Sequence, residues 1–210
     1  MRSRGPRGGR AKRGGDSSLT ASATTGRAIV FNDADLDRVE VGRLAEATLP
    51  PAILRQLGAA IAVDHRFHIT LEDGRRVVFG VRALQRKPDG SALTFLRIYE
   101  VAAPGTSLTQ LFPNDWSVWS GEPDLDGIFF HPMDMGRDIY MGDLIEVSAP
   151  GADRPHFEAK LASGDTMEMG TVTGKVALYR VCSVMVKPDN RIYAILRLVA
   201  GHQRPSFGIA

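Results

Sequence analysis

Lys87-Pro88-Asp89 is followed, seven residues after the aspartate, by Leu96-Arg97-Ile98, and the arrangement returns as Lys187-Pro188-Asp189 and Leu196-Arg197-Leu198. The offset is 100 residues, and it holds without a gap over positions 27–98 and 127–198. Gly74-Arg75 matches Gly174-Lys175, Phe79 matches Tyr179 and Val81 matches Val181. Upstream, Gly42-Arg43-Leu44-Ala45-Glu46-Ala47-Thr48-Leu49-Pro50 matches Gly142-Asp143-Leu144-Ile145-Glu146-Val147-Ser148-Ala149-Pro150. Ala52, Ala59 and Ala62 recur as Ala152, Ala159 and Ala162. The 72 aligned positions hold 14 identities, where average composition gives about 4 or 5 by chance. Self-similarity at a fixed period marks a repeated structural unit. The chain therefore reads as an arm (1–25), a first copy (26–102), a linker (103–126), a second copy (127–203) and a short tail (204–210).

Each copy reads as all-β. Phe67, Ile69 and Leu71 alternate with Arg66, His68 and Thr70, the period of a strand with one buried face. Asp73-Gly74 marks a hairpin turn, and Val77, Phe79, Val81 and Ala83 resume the alternation. In Lys87-Pro88-Asp89-Gly90, proline presets φ and glycine takes the left-handed position, which Asn190 also tolerates. Leu93, Phe95 and Leu96-Arg97-Ile98 form the return strand, with further strands at Arg27 to Phe31 and Val39 to Ala47. About six short strands in some 75 residues predict a small closed β-barrel. So small a barrel is marginal alone, which predicts that the two copies pack together as an intrachain pseudo-twofold pair. Pro50 to Gly58 predicts a helical turn or two, begun by proline and ended by glycine. The matching stretch, Pro150 to Ala162, is less apolar and contains Pro155.

Composition bounds the function. Of 210 residues, 43% are apolar and 24% charged, which excludes wholesale disorder, collagen and coiled coil. The longest apolar run, Leu57 to Val63, is too short to cross a bilayer, and no apolar signal core follows the basic start. One cysteine, Cys182, excludes an intrachain disulfide and a multi-cysteine zinc site. A reducing, cytoplasmic setting is the expectation. The net charge of +2 is misleading. Arg2, Arg4, Arg7, Arg10, Lys12 and Arg13 give the first fifteen residues six positive charges and no acid, so the rest of the chain carries −4. This glycine-rich arm is expected to be disordered, and it can hold phosphate backbones or anionic surfaces by charge alone.

No catalytic signature stands out: there is no nucleophile elbow, no phosphate loop and no cysteine–histidine pair. In Asp64-His65-x-x-His68 the two histidines face opposite sides of a strand, and His131-x-x-Asp134 supplies too few ligands for a metal. Asp33, Asp35 and Asp37 read as a solvated acidic turn. Met133, Met135 and Met141, with Tyr140, read as core or interface filler. A short helix is expected at Ser107 to Leu111. Trp116 and Trp119 in the linker read as an interface, plugging the seam between the copies or standing as an exposed patch.

The repeated segment resembles the PilZ family of small β-barrels. Gly142-Asp143-Leu144-Ile145-Glu146-Val147-Ser148-Ala149-Pro150-Gly151 follows the spacing of that family's Gly-x-Val-x-Asp-Ile-Ser-x-x-Gly, with Glu146 where the family has aspartate. In the first copy, Glu46-Ala47-Thr48-Leu49-Pro50-Pro51 keeps the acid and the hydroxyl and loses the closing glycine. The resemblance implies a non-catalytic regulator or adaptor that binds a protein partner, with cyclic di-GMP as the family's usual ligand. The implied ligand-binding positions are Arg27, Glu46, Thr48, Glu146, Ser148 and Gly151. The family's Arg-x-x-x-Arg clasp is missing before both copies, so the resemblance favours the protein partner over the nucleotide. The competing expectation is a nucleic-acid-binding or packaging protein that grips its cargo with the arginine-rich arm, as small capsid proteins do. Neither expectation calls for a cofactor or a metal.

Overall fold

Proline and glycine punctuation divides the chain into short strands, and in the computed structural model they assemble into two sheets. The structure describes residues 17–20, 29–32, 35, 38–57, 66–71, 73–108, 127–170, 176–186 and 190–205. The first sheet contains β1 (Ser17–Thr20), β2 (Val30–Phe31), β3 (Leu44–Leu49), β4 (Arg66–Thr70), β5 (Arg76–Arg86) and β6 (Ala92–Ala102), in the order β1-β4-β5-β6-β3-β2. The second contains β7 (Phe129–Phe130), β8 (Leu144–Ala149), β9 (Thr166–Gly170), β10 (Val176–Val186) and β11 (Ile192–Ala200), in the order β7-β8-β11-β10-β9. The protein is mostly β, with one curled antiparallel five-strand half-barrel per half and two short helices. The five common strands run in the same order in both halves. The first sheet gains β1, laid parallel to β4. Ser17–Thr20 thus forms a strand inside the stretch 1–25 expected to be an arm; the other residues of that stretch lie outside the described residues.

The repeat extends to irregularities. In β5 the register slips between Val78 and Phe79 and again between Val81 and Ala83. In β10 it slips between Leu178 and Tyr179 and between Val181 and Ser183. A bulge adds one residue to one strand and re-aims its side chain; the residues so placed are Arg82 and Cys182. The gapless alignment needs one correction. β2 pairs with β3 through Val30↔Thr48, and β7 pairs with β8 through Phe129↔Ser148, so the offset there is 99. It becomes 100 only by Gly42 and Gly142.

Several boundaries also move. Val39 to Arg43, expected as strand, is loop and turn, and pairing with β6 starts at Leu44. The cylinder stays open: β2 and β7 are two residues long, and among the described residues neither closes against the far edge of its sheet. The expected helix forms as α1 (Pro51–Leu57), burying Ile53, Leu54 and Leu57; Gly58 lies outside the described residues. The second half has the longer helix, α2 (Arg154–Ser163), despite Pro155 and few apolar residues. Proline is tolerated in a first helical turn, where its missing N–H has no partner to lose. Phe157 anchors α2 in the core, with the partly buried Leu161 packed against the same cluster. Residues 109–126, with most of the expected helix and both tryptophans, lie outside the described residues.

Each half has its own core, from Phe67, Ile69, Val77 and Phe79 in the first to Met167, Met169, Ala177 and Tyr179 in the second. The central strands do not alternate in burial as half-exposed strands do. Every residue of β8 is buried, as is most of β6 and β11, because their outer faces meet across a third apolar cluster of Leu44, Ala83 and Phe95 with Leu144 and Ile195. Leu44 and Leu144 are equivalent positions, as are Phe95 and Ile195, and equivalent residues meet where an approximate twofold axis passes.

The β10–β11 turn tests the backbone argument. Asn190 takes φ 61° where the first half has Gly90 at φ 80°. Asn190→Gly is expected to leave stability within about 0.5 kcal/mol, and Asn190→Ala to cost about 1 kcal/mol, since a β-carbon without a compensating side-chain bond disfavours this region. Urea unfolding of both variants measures the difference; equal midpoints would remove the argument.

Candidate functional site

The seam between the halves is built from two arginines that the repeat keeps at the same position. Arg97 on β6 reaches into the second half. Its Nη1 donates to Gly42 O at 2.6 Å and Asp134 Oδ1 at 3.3 Å; its Nη2 donates to Asp134 Oδ2 at 3.0 Å and Glu146 Oε2 at 3.1 Å. Arg197 on β11 does the same in reverse. Its Nη1 donates to Gly142 O at 2.7 Å and Asp35 Oδ1 at 3.3 Å; its Nη2 donates to Asp35 Oδ2 at 3.4 Å and Glu46 Oε2 at 3.0 Å. The aspartates are equivalent, for Asp134 Oδ2 accepts the Glu146 N–H and Asp35 Oδ2 the Glu46 N–H. Arg43 and Asp143, also equivalent, pair at 2.8 Å beside the axis. Each half lends one guanidinium to the other half's carboxylate pair.

The exchange is not equal. At the β5 bulge, Arg82 adds a two-pronged contact to Glu146, Nε to Oε2 at 3.0 Å and Nη2 to Oε1 at 2.6 Å. Arg137 Nη2 donates to Asp134 Oδ1 at 2.7 Å. Position 182 holds the free cysteine instead of an arginine. The Glu146 side chain is consequently sealed at 0% exposure, while Glu46 keeps 31%. Burial pushes the Glu146 carboxyl up, but the positive charge of Arg82, seconded by His131 and Arg97, outweighs it and holds the group well below its usual range. Asp134 behaves alike: burial raises it, and Arg97 and Arg137 more than offset that. His131 Nδ1 accepts the Met133 N–H at the start of a short 3-10 turn, Pro132–Asp134. Burial, then the charge of Arg97, pushes its imidazole down to about 3, so it is neutral at ordinary pH. The Cys182 thiol is pushed up by burial and stays protonated.

These positions revise several expectations. Asp35 is not in a solvated turn but in the buried ion pair; Asp33 and Asp37 lie outside the described residues. Glu146 and Ser148, which the PilZ resemblance assigns to a ligand, face the interior. Both Glu146 oxygens accept from arginines, and Ser148 Oγ accepts from Arg191 Nε at 2.7 Å. Thr48 is a half-buried rung of the β3–β6 ladder. Gly151 is fixed by packing: a β-carbon there would overlap the carbonyl oxygen of Asn190. Arg27, the arm arginines with Lys12, Trp116 and Trp119, and Asp64 and His65 lie outside the described residues. The described part of the seam is filled by the arginine exchange and the third apolar cluster. Met141 and Tyr140 do not fill the core; they stand 74% and 44% exposed.

Beside Arg43 and Asp143 a polar cleft is lined by Asp35, Arg38, Arg137 and Leu144, with about 10 Å³ open to the centre of a water-sized sphere. That is room for about one water and far below a nucleotide. Among the described residues, no three His, Cys, Asp or Glu side chains gather to hold a metal, and no helix is long and apolar enough to cross a membrane.

Removing one member of a buried pair leaves the other charge uncompensated, at a cost of about 3–5 kcal/mol. Glu146→Ala and Arg97→Ala are each expected to cost that much in chemical denaturation. Arg154→Ala, which breaks an exposed helical pair, should cost under about 0.5 kcal/mol. Equal losses would show that the seam is not a keystone. Stability should also depend on pH. An unfolded His131 takes up a proton near 6.5 and the folded one only near 3, so stability falls as pH drops through that window. The lowered carboxyls of Asp134 and Glu146 add a further loss below about 4.5. His131→Asn installs the residue of the equivalent Asn32 and should flatten the decline between pH 6.5 and 4.5. An unchanged slope in that variant would assign the decline elsewhere.

No model of a known family, no curated protein and no solved structure matches the chain.

Proposed function

We propose that the chain is a non-catalytic adaptor or regulator whose two PilZ-like halves form one body that binds a protein partner. The observation that carries this reading is the reciprocal seam. Its guanidiniums and carboxylates neutralise one another, and the groups with shifted titration are moved away from neutrality: carboxyls down, His131 down to about 3, the Cys182 thiol up. General acid–base chemistry works best with a pKa near the operating pH, and this cluster supplies none. Such an arrangement fixes shape. The nucleotide half of the family's role has less support, because Glu146 and Ser148 are already spent on arginines of this chain.

The face offered to a partner lies at one end of the seam. Val41 and Met141 occupy equivalent positions, one residue before Gly42 and Gly142, and both are exposed. Tyr140 lies beside them with the Arg38 guanidinium 5.0 Å over its ring. An exposed apolar side chain on each side of an axis, with an aromatic beside one of them, is the composition of a binding surface. The packaging alternative depends on the basic residues of the arm, which lie outside the described residues.

Isothermal titration with cyclic di-GMP is expected to give no heat at high micromolar nucleotide. A protein captured by the native chain should be lost from a Val41→Glu, Met141→Glu bait of unchanged stability. Tight nucleotide binding, or capture indifferent to the two substitutions, would overturn this reading.

A further inference from the structure

The two carboxylate pairs of the seam are built alike and filled unequally. Among the described residues, Asp134 and Glu146 receive three guanidiniums, Arg97 on both, Arg137 on Asp134 and Arg82 on Glu146. Asp35 and Glu46 receive one, Arg197. The first pair is thus overcompensated by one charge, and the second is left with one negative charge in excess. Both missing cations can be traced. Arg38 follows Asp35 by three residues as Arg137 follows Asp134, but it stands 4.0 Å from Asp143 Oδ1 and over the Tyr140 ring instead. The counterpart of Arg82 is Cys182, at the equivalent bulge: the register slips between Val81 and Ala83 in β5 and between Val181 and Ser183 in β10. The Cys182 thiol lies close enough to Arg197 and Glu46 to feel their charges, but it brings none of its own. Arg82 Nη2 donates to Glu146 Oε1. Glu46 Oε2 accepts from Arg197, while its Oε1 accepts no hydrogen bond among the described residues and the side chain stays open to solvent.

We propose that Glu46, backed by Asp35, is a docking site for one guanidinium, and that its occupant is an arginine side chain of the protein partner. The occupant rests on the adaptor reading; the site rests on the seam alone. The molecule carries its own template, because the two-pronged contact of Arg82 with Glu146 is the contact an incoming arginine makes with Glu46. Arg197 already holds one Glu46 oxygen, as Arg97 holds one of Glu146, and leaves the other oxygen to the newcomer. The excess negative charge selects a cation. The planar fork of a guanidinium meets both oxygens of a carboxylate, which the point charge of an ammonium does not, so arginine is preferred to lysine. Arginine is also among the residues that dominate protein interfaces.

Titration of the full chain with capped tripeptides, acetyl-Gly-Arg-Gly-amide and its lysine analogue, tests this by amide NMR. The arginine probe is expected to shift the Glu46 and Cys182 amides saturably, and the lysine probe to bind at least about fivefold more weakly. Cys182→Arg fills the site from within, so the arginine probe should bind that variant at least about tenfold more weakly. Glu46→Gln, which removes the charge and adds no bulk, should weaken it as much. No saturable shift, or equal affinity for the two probes, would overturn the proposal on the native chain, with no variant needing to fold. Arginine-probe binding unchanged in Cys182→Arg would overturn it as well. Failure of the adaptor reading shows separately, as capture indifferent to Val41→Glu and Met141→Glu, and the preference for the arginine probe stands or falls without it.

Discussion

The structure depends on one constraint: an arginine in the middle of a buried strand must find carboxylates, and among the described residues those it finds belong to the other half. Arg97 and Arg197 stand among apolar neighbours on β6 and β11. A guanidinium left unpaired there costs several kcal/mol. Among the described residues, the carboxylate pairs bonded to them belong to the opposite half. Neither sheet can satisfy its central strand alone, so pairing of the halves is a condition of the fold. The same geometry explains why β8 is buried along its whole length: one face lines its own core, and the other lines the seam.

Much of this architecture is legible in the sequence. The alternation around Phe67 and Phe79, the turn at Lys87-Pro88-Asp89-Gly90 and the 100-residue repeat each reflect local chemistry. A reader of residues can weigh such chemistry without knowing the fold. The charges of the seam are visible there as well. Glu46 and Glu146, and Arg97 and Arg197, are charged residues kept at equivalent positions in copies that otherwise diverge widely. Charge retained inside an apolar strand calls for a partner across an interface. Their aspartate partners were hidden for a different reason. One extra residue between Asp134 and Gly142 sets Asp35 against Met135 in a gapless alignment, so the equivalence of Asp35 and Asp134 appears only in the hydrogen bonds. Arg82 was hidden by the bulge, which no periodicity announces. The spacing around Glu146 singles that segment out, but whether such a residue faces a ligand or the other half is a tertiary fact.

The departures from symmetry are as informative as the symmetry. Among the mostly buried groups of the seam, the first half contributes Arg43, Arg82 and Arg97 against Asp35 and Glu46, an excess of one positive charge. The second contributes Arg137 and Arg197 against Asp134, Asp143 and Glu146, an excess of one negative charge. Two first halves pairing about the same axis would set Arg43 against Arg43, and two second halves would set Asp143 against Asp143. Like charges so placed penalise those pairings. Exchange of Cys182 for an arginine would bring the second half to zero and halve that difference. The unequal charges thus favour a half meeting its counterpart over a copy of itself, which is how an interface gains specificity by penalising the alternatives.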